Sequence, residues 1–312
     1  MSRHMLIVNP TSGRGAGGEV IPRLTATLVR MGLDFDLNVT EAPQHAIELA
    51  RAAASDGYEA VISVGGDGTA NEVLNGLMQA KRAGAGDAKM GVVAIGRGND
   101  FAFGVEIPQE LDLACEVLLK GLGHRIDIGL VKGGDFPEGR YFGNGVGIGF
   151  DAVVGFEALK MKRLHGFPSY LVAALKTIYL YYQAPRVLIE HDEGTLEQSS
   201  LMVSIMNGRR MGGGFMMAPE AETADGYFDV CVAEEVSKAG ILRLIPRFMA
   251  GSQATHPAIS TLRTRRIKVS ALEGSLPAHA DGETLCEAGE QLELEILPKQ
   301  LFILRAPSEG NT

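Results

Sequence analysis

The sequence predicts an α/β plus β architecture: an N-terminal doubly wound α/β domain, then a C-terminal antiparallel β-sandwich domain, with a cleft between them. Three observations carry this. Over the first 125 or so residues, short apolar runs alternate with amphipathic segments. Three of those runs end in glycine-rich turns. Beyond about residue 130 the rhythm becomes strand after strand, with few helices between. Alternating strands and helices require right-handed crossovers and a parallel sheet, whose ligands bind outside the carboxyl ends of the strands. The first domain is expected over residues 1–128, with 298–312 a candidate to complete it, and the second over 129–297.

In order, residues 5–8 form a short apolar strand, and NPTSGRGAGG leads into a helix carrying Val20, Ile21, Leu24, Leu28 and Met31 on one side. Residues 35–40 alternate as a strand, 46–54 read as a helix, and 61–64 as a buried strand. A further strand at 91–95 ends in GRGNDFA, and a helix at 111–119 precedes a strand at 125–131. In the second half, strands are predicted at 141–146, 187–190, 201–206, 227–232, 266–270, 292–296 and 301–305. Helices interrupt them at 156–182 and 238–249.

The organising stretch is 61–78, VISVGGDGTANEVLNGLM. Its strand breaks into Gly65, Gly66, Asp67 and Gly68 before a helix in which Thr69 and Glu72 have capping-box spacing. Val73, Leu74, Leu77 and Met78 mark the buried face. Glycines at a helix N-terminus let backbone N–H groups approach an anion, and the helix dipole favours negative charge there. Asp67 beside such a turn repels a phosphate unless a cation or a transferable proton lies between them, so the turn points to nucleotide plus divalent metal. In GRGNDFA, Gly96 and Gly98 repeat the tight turn, Asp100 adds a second carboxylate, and Asn99-Asp100 suits an N-cap.

Composition narrows the function. A net charge of −9 argues against nucleic acid as partner. Cys115, Cys231 and Cys286 are widely spaced and odd in number, which signals reduced core thiols in a cytosolic protein rather than disulfides or zinc. The apolar part of the N-terminus is too short for a signal peptide, and no run of about 18 apolar residues occurs. Gly13, Gly15 and Gly18 fit G-x-G-x-x-G, but no acidic residue ends the second strand and no G-x-x-x-x-G-K-[ST] exists, so neither a dinucleotide fold nor a P-loop is supported. Asn9 to Gly13 instead form a polar loop able to contact a nucleotide.

Farther on, Gly212, Gly213 and Gly214 allow backbone to line a cleft. Asp225-Gly226 is a turn whose carboxylate is able to bind a hard cation, with a plain hairpin turn as the alternative. In HADGE, Asp281 and Glu283 stand two apart in an expected strand and would face one side, a pairing that suits a hydroxyl acceptor. His279 is expected to pack or to lie at the surface.

NPTSG, VGGDGTANEV, GRGNDFA, GFDA at 149–152, MGGGF with PEAETADGYFDV, and HADGE together resemble the diacylglycerol kinase catalytic-domain family, to which sphingosine and ceramide kinases are related. The resemblance covers nearly the whole chain and implies a lipid kinase dependent on ATP and Mg2+. It implies nucleotide contacts from Asn9, Pro10, Thr11, Ser12, Gly13, Thr40, Gly66, Asp67, Gly68, Thr69, Ala70, Asn71, Glu72 and Arg97, although Arg97 departs from the small hydroxyl residue common there. Glu283 is implied as the proton acceptor with Asp281 beside it. Asp225 with the carbonyls of Glu222 and Tyr227 is implied as a structural magnesium site, and Asp67 and Asp100 as carboxylates reaching the catalytic metal through water. A kinase for a soluble acceptor such as NAD, which shares GGDGT, is one alternative; a non-catalytic nucleotide- or lipid-binding regulator is another.

Two basic stretches bear on reaching lipid: Lys160, Lys162, Arg163 and Lys176 around an apolar, aromatic helix, and Arg263, Arg265, Arg266 and Lys268. The expectation is a cytoplasmic enzyme, transiently peripheral to the inner face of the membrane. Exposed sandwich edges would suit a homodimer.

Overall fold

The computed structural model describes residues 3–96, 98–160, 167–180 and 183–306. They fall into two compact units, Met1–Asp127 with Lys299–Thr312, and Ile128–Pro298.

In the first unit, β1 (His4–Val8) lies between β2 (Phe35–Val39) and β3 (Ala60–Gly65), all parallel. Next to β3 runs β4 (Lys89–Ala94), and beside it the last residues of β15 (Gln291–Leu304), with Ile303 opposite Met90. Every residue of β1 and β3 is buried, as in a parallel sheet covered on both faces. The cover is α1 (Ala16–Glu19), α2 (Ile21–Met31), α3 (His45–Ser55), α4 (Asp67–Arg82), α5 (Asp100–Gly104) and α6 (Leu111–Lys120). The C-terminal strand is held by Leu301, Ile303 and Leu304 in the core and by Lys81 and Arg125, which both donate to the Gln300 carbonyl.

The second unit is a β-sandwich. One layer contains β5 (Gly123–Gly133), β6 (Phe136–Phe142), β8 (Arg186–His191), β12 (Arg266–Glu273) and the first half of β15. The other contains β7 (Gly145–Gly149), β10 (Phe228–Glu234), β11 (Ile259–Thr264), β13 (Leu276–Ala280) and β14 (Glu283–Gly289). The strand β9 (Gly194–Met206) serves both, pairing with β8 early and with β7 and β10 late. Phe142 and Phe228 stack at 5.6 Å in the core with Ile189, Ile205, Val269 and Leu292. Helices α7 (Phe150–Lys160), α8 (Phe167–Leu180) and α9 (Lys238–Ala250) complete the unit.

Several expectations are corrected. The strand at 141–146 is two strands, β6 and β7, because the amides of Gly143, Asn144 and Gly145 turn to the Asp281 carboxylate. The segment expected as one helix over 156–182 falls on α7 and α8, with 161–166 and 181–182 outside the described residues. The strands at 292–296 and 301–305 are one, β15, which continues through Lys299 at φ +52°. Strand β11 was not predicted, and the ends of β13 and β14 were expected only as a single strand edge around Asp281 and Glu283. β13 contains Pro277, which breaks a strand pattern, and its pairing with β14 shifts register between Leu276 and Ala278 to leave that proline out.

Candidate active site

The three glycine-rich turns of the first unit meet. A Cβ on Gly65 would lie 2.5 Å from Thr69 Oγ1 and 3.0 Å from Ser12 Oγ; one on Gly96 would lie 2.5 Å from Gly66 Cα. Gly13, at φ +58°, leaves only 2.6 Å between such an atom and the Ile95 carbonyl. The absence of side chains is therefore what lets the ends of β1, β3 and β4 approach. Helix α4 starts here, and its first intrahelical bond runs from Ala70 N to Gly66 O at 3.0 Å, so Gly68 and Thr69 amides have no acceptor within the helix. Such amides suit phosphate oxygens.

Side chains fix the cradle. Asn9 donates to Thr69 Oγ1 at 3.1 Å and accepts from the backbone and hydroxyl of Thr11. Ser12 Oγ accepts from Gly66 N at 3.3 Å. Pro10 accepts from Gly18 N, and Thr40 N donates to Val8 O at the end of the sheet. Asp67 accepts from Phe101 N at 3.1 Å. A Cβ on Gly98 would lie 3.0 Å from Asp67 Oδ2 and 3.3 Å from Asp100 Oδ2, so the two carboxylates flank one glycine. Magnesium is commonly held by one or two carboxylates plus substrate phosphates, and this pair fits that need. No group of three or more His, Cys, Asp or Glu able to hold a metal occurs among the described residues.

Three details differ from expectation. Thr69 is not an N-cap: α4 begins at Asp67 with Gly66 as cap, and Thr69 is buried under Asn9. Glu72 does not close a capping box. Its carboxylate accepts from Gln44 N at 2.9 Å and Ala46 N at 3.1 Å, so it caps α3. Asn99 is a left-handed cap at φ +53° without a side-chain cap bond; its Oδ1 accepts from Gly96 N at 2.9 Å and tightens that turn. Asn71 is buried, with its carbonyl and side-chain oxygens accepting from Asn75. Arg97 lies outside the described residues, as do Lys162 and Arg163.

In the second unit, Asp281 and Glu283 do not share a strand. Asp281 and Gly282, at φ +48° and +85°, form the two-residue turn between β13 and β14, flanked by the Ala280–Glu283 pair. An Asp-Gly pair of positive φ is the mirror-image turn that hairpins favour, and it overrides strand alternation. The Asp281 carboxylate is buried and accepts from Gly143 N at 2.8 Å, Asn144 N at 2.9 Å and Gly145 N at 3.0 Å. Glu283 opens β14 and is partly exposed.

Asp225 accepts from Tyr227 N at 3.0 Å and from the guanidinium of Arg263, while Glu222 is exposed. The rest of the second basic stretch is also paired: Arg265 with the Tyr227 hydroxyl, Arg266 with Glu295 and Lys268 with Glu190. Near α8, buried Glu157 pairs with Lys160 and Lys176, and those two cations hold its carboxyl below the usual range.

Sequence reasoning assigned no role to Asp151 of the GFDA motif. It is buried, 3.5 Å from Nε2 of buried His279, and lines a cavity of about 50 Å3 whose walls include Phe150, Met202, Phe215, Leu244 and Phe248. Gly147 makes room for the pair, since a Cβ there would lie 2.2 Å from Asp151 Oδ2.

The parallel sheet with its converging glycine-rich turns, followed by a β-sandwich, is the architecture on which the comparisons with known proteins fall. Residues 3–131 match the Diacylglycerol kinase catalytic domain, and residues 144–305 match the YegS C-terminal NAD kinase beta sandwich-like domain. The chain belongs to the diacylglycerol kinase catalytic-domain family. It is 28% identical over 305 residues to a diacylglycerol kinase of Mycobacterium tuberculosis (strain CDC 1551 / Oshkosh), covering 97% of this chain and 95% of that protein. It is 28% identical over 282 residues to a diacylglycerol kinase of Staphylococcus aureus (strain bovine RF122 / ET3-1), with coverages of 90% and 86%. A crystal structure of a diacylglycerol kinase from Bacillus anthracis str. Sterne superposes with a TM-score of 0.74 at 19% identity, covering 98% of both chains. An NAD kinase from Archaeoglobus fulgidus in complex with ATP shares the fold more distantly, with a TM-score of 0.52 at 13% identity and coverages of 97% and 93%.

Proposed function

We propose that the protein is an ATP- and Mg2+-dependent lipid kinase that transfers the γ-phosphoryl group to a hydroxyl of a diacylglycerol-like lipid. The backbone amides at the start of α4 bind phosphate oxygens, and Asn9, Thr11 and Ser12 orient the nucleotide. Asp67 and Asp100 would hold the metal ion, which when bound offsets phosphate charge and polarises the transferred group. The acceptor oxygen forms its bond to γ-phosphorus as the bond from phosphorus to the ADP oxygen breaks. Glu283 takes the hydroxyl proton, and Asp281 positions Glu283 by fixing the hairpin that carries it.

One observation favours lipid over NAD as acceptor. The walls beside Asp151 are almost wholly Phe, Met, Leu, Ile and Val, an apolar lining that offers no hydrogen-bond partners to a second nucleotide, although its roughly 50 Å3 has room for no more than one or two methylenes. Access from a bilayer is supported by Val172, Leu175 and Tyr179, exposed at helical spacing on α8 near Lys176. No helix among the described residues is long and apolar enough to cross a membrane.

Labelled ATP and Mg2+ are supplied with vesicles containing diacylglycerol, vesicles containing a sphingoid base, and NAD. Label on a lipid is expected. Label on NAD would replace this reading with the soluble-acceptor one, and label on none would favour a non-catalytic binder.

A further inference from the structure

The turn before β10 carries an unusual density of acid: Glu220, Glu222, Asp225 and, on the strand itself, Asp229. Family resemblance implies a metal held there by Asp225 and the carbonyls of Glu222 and Tyr227. The side chains present do not fit that ion. Asp225 Oδ1 already accepts from Tyr227 N at 3.0 Å, and Oδ2 accepts from Nη2 of Arg263. Arg263 stands on β11 directly opposite Asp229, with its Nε 3.5 Å from Asp229 Oδ1. Its guanidinium also lies 4.9 Å from the centroid of the Tyr227 ring, and the guanidinium of Arg265 lies 4.8 Å from the same centroid. A divalent ion on Asp225 would stand against a guanidinium bonded to the same carboxylate, and like charges at that range repel.

We infer that Arg263 is the built-in cation of this turn, bridging Asp225 and Asp229 where a divalent ion would otherwise bind. The arrangement accounts for an acidic turn packed at the mouth of a core strand. The guanidinium is tethered to β11, so the turn gains its counter-charge when β10 and β11 pair, without capturing an ion from solution. The inference concerns folding of the second unit and stands whatever the acceptor of the kinase proves to be.

The test uses the full chain without nucleotide. In thermal unfolding, an Asp67→Asn protein, which lacks a carboxylate of the proposed catalytic metal site, is expected to melt at the same temperature in EDTA and in millimolar Mg2+. Arg263→Met should melt about 4 °C lower than wild type in EDTA, because its carboxylates lose their partner, and should regain part of that loss in Mg2+. An Asp67→Asn melting temperature that rises by several degrees with Mg2+, or an Arg263→Met protein as stable as wild type in EDTA, would overturn the inference. Equilibrium dialysis against Mn2+ supplies a readout independent of that variant. No bound ion is expected that disappears in Asp225→Asn and persists in Asp67→Asn, and finding one would place a metal at the turn.

Discussion

Asp281 accepts the backbone N–H of Asn144 at 2.9 Å, and the same carboxylate collects the amides of Gly143 and Gly145. A buried carboxylate with three such donors is committed to structure: it ends β6, starts β7 and holds the hairpin from which Glu283 emerges. Asp281→Asn would set an amide N–H2 against backbone donors and is expected to cost about 3 kcal/mol of stability. The denaturant midpoint measures this, with Glu283→Gln unchanged in the same experiment. A stable Asp281→Asn protein would instead assign Asp281 to chemistry.

Glu283→Gln keeps volume and removes the base. Turnover should fall about 100-fold, with the Kd for ATP unaltered. Steady-state rates and an ATP-binding titration check the two halves separately; near-normal turnover removes Glu283 from the role.

Glu72 serves a different helix from the one it was expected to cap. Both of its oxygens accept amides at the start of α3, from Gln44 and Ala46. Glu72→Ala should therefore cost about 1 kcal/mol by fraying α3, with ATP affinity changed less than twofold. A loss of ATP affinity without loss of stability would put Glu72 on the nucleotide instead.

Burial pushes the Cys231 thiol up to about 12 from an ordinary 9.0, with Asp151 adding to the rise. Since the folded state favours the neutral thiol, this contribution is fully present below pH 9 and is lost as pH climbs towards 12. Alkaline unfolding should thus be shallower in Cys231→Ala than in wild type between those limits, read by denaturant midpoints at each pH. Parallel curves would contradict it.

The parallel sheet and its phosphate turns were legible because their signals are local. Gly65, Gly66 and Gly96 follow apolar runs, and the contacts that need them lie within one turn or between adjacent strand ends. Sandwich strands were less so. β13 and β14 read as polar, proline-containing sequence, and their pairing depends on β7, more than 100 residues away in the chain. The Asp-Gly pair at 281–282 is itself a hairpin signal, which a reading of Asp281 and Glu283 by strand alternation alone passes over. Arg263 and Asp225 illustrate the rest: an ion pair between a strand and a turn 38 residues apart has no signature in spacing. Asp151 and His279 likewise meet only once β13 lies against β7 and α7.

The central claim is that ATP phosphates seat on the amides between Gly66 and Thr69 with a metal ion beside Asp67. A crystal structure with a non-hydrolysable ATP analogue and Mg2+ tests it most directly. The account predicts β- and γ-phosphate oxygens within hydrogen-bonding distance of those amides, and the ion between phosphate and the Asp67–Asp100 pair. Phosphates bound elsewhere, with the turn unchanged and solvent-filled, would contradict it.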